Sequence, residues 1–115
     1  MKDDASKEQI DEFLKIVRSF ASATNGIIFP NRKKNMKSLS KYGISLTEQR
    51  QIINNLTASD YYSGPDEENN KKYPPGDIWV FKKIIRKAIF YIKLKLQKEG
   101  RKLILKCLSF HEDEL

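Results

Sequence analysis

Cysteine is almost missing from this 115-residue chain. Cys107 stands alone, so no internal disulfide can brace the fold, and a lone thiol fits a reducing compartment. Histidine is as scarce: His111 and Cys107 together cannot supply a closed zinc site. No run reaches the roughly 18 consecutive apolar residues of a membrane span. The opening "MKDDASKEQI" lacks the apolar segment of a secretory signal. A glycine-rich phosphate loop, an HExxH helix, a CxxC pair and a nucleophile elbow are also missing. These absences point to a soluble cytoplasmic protein with no membrane contact. The length suits a single domain, residues 1–115, able to bury a core without metal or disulfide.

Acid is short where base is rich. The formal charge is +7, but residues 78–106 hold ten lysines and arginines against Glu99 alone. Residues 31–50 hold six basic residues against Glu48. The acids collect in the first twelve residues, in "PDEE" and in the tail "HEDEL". Segregation of this kind attracts polyanions, although a solvated lysine-rich surface has the same composition.

Periodicity divides the chain into helices first and strands second. Ser6 and Gln9 form a capping-box pattern, and Ile10, Phe13, Leu14, Val17 and Phe20 recur at helical spacing, which predicts a helix over 7–23. Asn25–Gly26 closes it, with the glycine as left-handed cap. "GIIFP" reads as a short strand stopped by proline. Asn31 is placed to cap a second helix that turns Met36, Leu39 and Tyr42 inward and ends at Gly43. Ser45 and Glu48 open a third, with Leu46, Ile52, Ile53 and Leu56 as its apolar face, and "ASDYY" can add a helical turn. Residues 63–77, "SGPDEENNKKYPPGD", read as a loop, either functional or merely connecting. Three strands follow, over 78–84, 89–97 and 103–111. The expected class is α+β: N-terminal helices packed on a small twisted antiparallel sheet.

The strand "FYIKLKL" alternates strictly. Phe90, Ile92, Leu94 and Leu96 belong to a core face, and Tyr91, Lys93 and Lys95 to an outer one. Parity on the last strand puts Leu108 and Phe110 inward and Ser109 and His111 outward, beside Tyr91 and Lys93. A histidine there can act as acid or base near neutral pH. A lone histidine beside an acidic tail is also an ordinary surface residue, and both readings stand at this level.

The order of "IIFPNRKKNMKSLSKYGIS", "LTASDYYSGP", "GDIWVF", "YIKLKL" and the terminal "LSFH" resembles the MqsR family of type II toxin–antitoxin toxins. The family's members are mRNA endonucleases of RelE-like fold. The resemblance covers most of the chain beyond the first helix. It implies an outer sheet face that binds mRNA, cleavage with no metal or other cofactor, and neutralisation by a cognate antitoxin protein. Tyr91 and Lys93 match the tyrosine and lysine of the family's "VYLK" strand. Ser63 stands where the family has a catalytic lysine, Val80 where it has glutamine and His111 where it has lysine.

Metal-free RNA cleavage needs a base for the 2′-hydroxyl, an acid for the leaving 5′-oxygen and cations for the phosphate. The candidate catalytic residues are His111, Tyr91 and Lys93, and the candidate RNA-binding residues are Lys95, Lys82, Ser63 and Arg32. DNA, lacking the 2′-hydroxyl, would be ignored. The expected activity is an endoribonuclease toxin. The alternatives are a non-catalytic RNA-binding module and a repressor using the helices at 32–42 and 46–56 as a helix-turn-helix.

Overall fold

The computed structural model describes residues 4–114; the start of the acidic N-terminal stretch and Leu115 lie outside them. Helix α1 spans Lys7–Ala21. Its capping box closes as expected: Gln9 N–H donates to Ser6 Oγ at 3.2 Å, and Ser6 N–H donates to Gln9 Oε1 at 2.8 Å. Ile10, Phe13, Leu14 and Val17 form its buried stripe. The residue that turns left-handed after it is Asn25 (φ 57°), not Gly26. Glycine is needed at 26 for closeness instead, since a Cβ there would collide with the Phe20 carbonyl oxygen.

Strand β1 (Ile27–Ile28) leads to α2 (Lys33–Tyr42), α3 (Leu46–Asn54) and a single 3₁₀ turn over Ala58–Asp60. Strands β2 (Tyr61–Glu67), β3 (Gly76–Ile85), β4 (Ala88–Glu99) and β5 (Lys102–Glu112) follow. The strands run antiparallel in the order β2–β3–β4–β5, and β1 adds in parallel to β5. The class is therefore α+β, with a five-stranded mixed sheet in which the expected three-strand meander is extended on both sides. Among the described residues no helix is long and apolar enough to cross a membrane.

One sheet face carries the core. Trp79, Phe81, Phe90, Ile92, Leu94, Leu105, Cys107 and Phe110 pack against Phe13, Leu14, Val17, Ile53 and Leu56. Phe13 lies flat on Trp79, with centroids 4.4 Å apart and planes at 7°. The β3–β4 hairpin turns at Arg86 and Lys87, both at positive φ (50° and 68°), the hand that suits strand twist.

Four expectations fail here for tertiary reasons. Residues 63–77 are not one loop: β2 runs through Glu67, leaving only 68–75 irregular. β2 is an edge strand with two register shifts, and an edge tolerates Pro65 where a central strand would not. Arg32, not Asn31, is the N-cap of α2, and no side-chain bond caps it. Leu39 and Tyr42 of α2 pack against the core as expected, but Met36 is 53% exposed, and Asn35 and Ser38 are buried in its place. Asn35 Nδ2 donates to the Leu108 carbonyl at 3.2 Å, and its Oδ1 accepts from Phe110 N–H at 3.0 Å. Ser38 Oγ accepts from Glu112 N–H at 3.0 Å. The helix thus finishes the edge of β5 where β1 is too short to do so. In α3, Leu46 is exposed, Gln49 is buried and Leu56 packs from beyond the helix end. Ser45 caps α3, while the Glu48 carboxylate reaches Arg86 at 2.9 Å.

Candidate functional site

Alternation along β4 places Tyr91, Lys93, Lys95 and Gln97 on the sheet face opposite the core. Cross-strand pairing sorts them into rows: Lys82–Tyr91–His111, then Val80–Lys93–Ser109, then Ile78–Lys95–Lys106. Ser63 lies opposite Val80, two strands from Lys93 in that row, so the structure does not bring it to the histidine.

The parity assignment for β5 is half right. A register shift between Lys93 and Leu94 puts an extra residue into β5. Cys107 and Phe110 both enter the core, and Leu108 is displaced to the outer side, where it lines a cavity. His111 keeps the expected outer place. Its ring stacks on Tyr91 with centroids 5.5 Å apart and planes at 15°, and it is 9% exposed.

His111 Nδ1 lies 3.0 Å from the Glu112 carbonyl oxygen. A carbonyl only accepts, so the bond assigns a hydrogen to Nδ1 and leaves Nε2 without a partner among the described residues. Burial pushes the Tyr91 phenol up from its ordinary value, with Tyr62 and Asp113 adding and the Lys82 charge opposing. Tyr91 is therefore a neutral phenol at physiological pH. Its hydroxyl has no hydrogen-bond partner among the described residues.

The acidic tail does not bear on the histidine as a free cluster. Glu112 binds Lys41 at 3.0 Å and the Tyr42 hydroxyl at 2.9 Å; the Lys41 bond and then the Tyr42 bond hold its carboxyl below the usual range. Asp113 pairs with Lys82 at 2.8 Å, and Glu114 with Lys34 at 3.1 Å. Lys82 Nζ also sits 3.9 Å from the centre of the Tyr62 ring. Lys82 is thus close to Tyr91 but already neutralised.

Lys95 is the clearest correction. The alternating pattern put its ammonium in solvent for RNA, yet the residue is 2% exposed. The 68–75 segment folds over it: Nζ donates to Glu68 Oε1 at 2.8 Å and to the Pro74 carbonyl at 2.7 Å. It is a structural pin for that segment. Lys93 is half-buried, and its ammonium has no hydrogen-bond or ion-pair partner among the described residues. With Arg32 it lines a cavity of about 390 Å³ beneath the 68–75 segment.

Neither a family model, a curated protein nor a solved structure matches this chain.

The site accordingly rests on its own geometry. His111, Tyr91 and Lys82 share one row, Lys93 occupies the next, and Arg32 reaches the same face from the start of α2. Asp113, from the acidic tail, touches the face through Lys82, and Tyr73, Gln97 and Lys106, which were not among the candidate residues, line it. Lys106 and Gln97 carried a local signal, as polar residues alternating with core residues in "LILKC" and "LKLQ".

Proposed function

We propose that this protein is a metal-independent endoribonuclease: a cytoplasmic, RelE-like toxin of a type II toxin–antitoxin pair that cuts mRNA and is silenced by a cognate antitoxin protein. The observation that carries the reading is the Tyr91–His111 stack, an imidazole whose Nδ1 is fixed by the Glu112 carbonyl against a protonated phenol, in the row next to the cation Lys93. The resemblance to the MqsR family supports the same reading at Tyr91 and Lys93.

In this scheme neutral His111 takes the proton of a ribose 2′-hydroxyl at Nε2. The 2′-oxygen attacks phosphorus, and Lys93 stabilises the charge that accumulates on the phosphate oxygens. The bond from phosphorus to the 5′-oxygen breaks, and the Tyr91 phenol gives that oxygen its proton. The products are a 2′,3′-cyclic phosphate and a 5′-hydroxyl. His111 and Tyr91 then return to their starting states by exchange with water.

Cleavage of a purified transcript tests the proposal. His111→Ala and Tyr91→Phe should each lower the rate by about 10²–10⁴-fold, the range of a lost acid or base. A DNA strand of the same sequence should stay intact. Wild-type cleavage by His111→Ala would overturn the mechanism. The 9% exposure of His111 and the pairing of Lys82 with Asp113 favour a second reading, RNA binding without cleavage. Tight binding with an intact transcript would establish it.

A further inference from the structure

The cavity of about 390 Å³ between the outer sheet face, the 68–75 segment and the entry to α2 is more than a shadow of the Tyr91–His111 row. Four cations line it (Arg32, Lys93, Lys95 and Lys106), against the single acid Glu68. Glu68 is spent on Lys95. Arg32, Lys93 and Lys106 are left without a hydrogen-bond or ion-pair partner among the described residues. Lys106 is moreover the direct cross-strand partner of Lys95, an arrangement in which like charges oppose folding. Three cations thus line one cavity with only the charge of Glu68 acting on Lys93 from a distance, and an anion relieves them.

The rest of the lining is not that of a plain anion site. Pro30, Pro74, Ile78 and Leu108 give it apolar surface, and Leu108 is there because of the bulge in β5. Tyr73 stands at the cavity, 58% exposed. An exposed ring over a cationic floor is the combination that stacks a base while its phosphate is neutralised.

Gln97 adds a third element. It is 1% exposed and lines the cavity. Its Nε2 donates to Glu99 Oε1 at 2.6 Å, which fixes the amide orientation, because a carboxylate accepts only from the nitrogen. Its Oε1 has no hydrogen-bond partner among the described residues. That acceptor lies on the wall of the cavity, where a donor from a ligand can reach it, and each nucleobase offers an N–H.

We infer that this cavity is a nucleotide subsite: Arg32, Lys93 and Lys106 hold a phosphate, Tyr73 stacks the attached base, and Gln97 Oε1 accepts an N–H from the base edge. The inference rests on the proposed ribonuclease reading for its substrate class. It adds a place for one nucleotide beside the scissile phosphate, since Lys93 belongs both to the cavity and to the row next to Tyr91 and His111. Lys95 preforms the site by tying residues 68 and 74 to the sheet.

Binding rather than cleavage tests it, so that the two readings fail separately. Nuclear magnetic resonance titrations of the full chain would use AMP, CMP, GMP, UMP and inorganic phosphate as probes. The nucleotides should shift resonances of Lys93, Lys106 and Leu108 and bind more tightly than inorganic phosphate. Lys106→Ala should weaken both kinds of probe roughly tenfold. Tyr73→Ala should weaken the nucleotides by about 5- to 150-fold, the range of a lost base stack, and leave phosphate unchanged. Gln97→Met should compress the differences among the four bases, and the exposed Tyr73 keeps the test open if that variant does not fold. Lys15→Ala, on α1, serves as the charge-matched control. Equal affinity for phosphate and nucleotides would overturn the base half of the inference. Titrations of Lys106→Ala and Tyr73→Ala that match Lys15→Ala would overturn it all, even in a chain that cleaves RNA. Nucleotide binding lost in both variants would uphold the subsite even in a chain that cuts nothing.

Discussion

Replacing Lys95 by methionine separates a structural pin from a binding cation. Lys95→Met keeps most of the aliphatic stem and deletes the ammonium, so packing changes little while two contacts vanish. Glu68 and the Pro74 carbonyl lose their donor together. A hydrogen bond to a charged group contributes about 1.5–3 kcal/mol, and an orphaned buried partner adds to the loss. The side chains of Lys95 and Glu68 are 3% and 14% exposed, so water can repair Glu68 in part. The expected loss is about 2–3 kcal/mol. Unfolding entropy of about 2.1 cal/mol/K per residue comes to about 240 cal/mol/K for this chain, so the melting midpoint should fall by about 8–12 °C. Thermal and urea unfolding followed by circular dichroism would measure both.

The pH dependence has a definite sign. The bond from Lys95, helped by the Asn70 N–H and the charges of Lys95 and Lys93, lowers the Glu68 carboxyl from its ordinary 4.5 despite burial. A lowered folded-state value stabilises the fold above about pH 4.5, and that contribution is lost as pH falls through the folded value. The gap between wild type and Lys95→Met should therefore be full at neutral pH and shrink in acid. Stability within about 0.5 kcal/mol of wild type, with no narrowing in acid, would mean that the ammonium sits in solvent and refute the pin.

Three other outcomes follow from the fold. Asn35→Ala should cost about 1–3 kcal/mol and speed amide exchange at Phe110, because that buried N–H loses its acceptor; unchanged exchange would show that α2 does not complete the edge of β5. Trp79→Ala should cost about 3–5 kcal/mol, and native Trp79 should fluoresce at the short wavelengths of a buried indole stacked on Phe13. Cys107 is 1% exposed and burial pushes its thiol up, so the native protein should resist alkylation until it unfolds; rapid native reaction would contradict its place in the core.

The sequence by itself determined what depends on neighbours along the chain. The Ser6–Gln9 box, the 3.6-residue stripe of α1, the left-handed Gly43 (φ 64°) and the strict alternation of β4 are local, and each holds in the structure. The outer placement of Tyr91, Lys93 and His111 was legible for the same reason: side chains alternate along a strand whatever lies beside it. What depends on residues far apart in sequence was decided by the tertiary structure. "YYSGPDE" has the composition of a loop and becomes β2 because an edge needs bonds on one side only. Leu108 leaves the core because β5 carries one residue more than β4 at that point, an excess visible only when the strands are paired. Lys95 and Lys93 look equivalent in "YIKLKL", yet one is pinned under the 68–75 segment while the other stays without a partner. Alternation selects the face on which a charge stands; what covers that face is set by a segment some twenty residues earlier in the chain, and burial determines whether the charge binds a ligand or holds the fold.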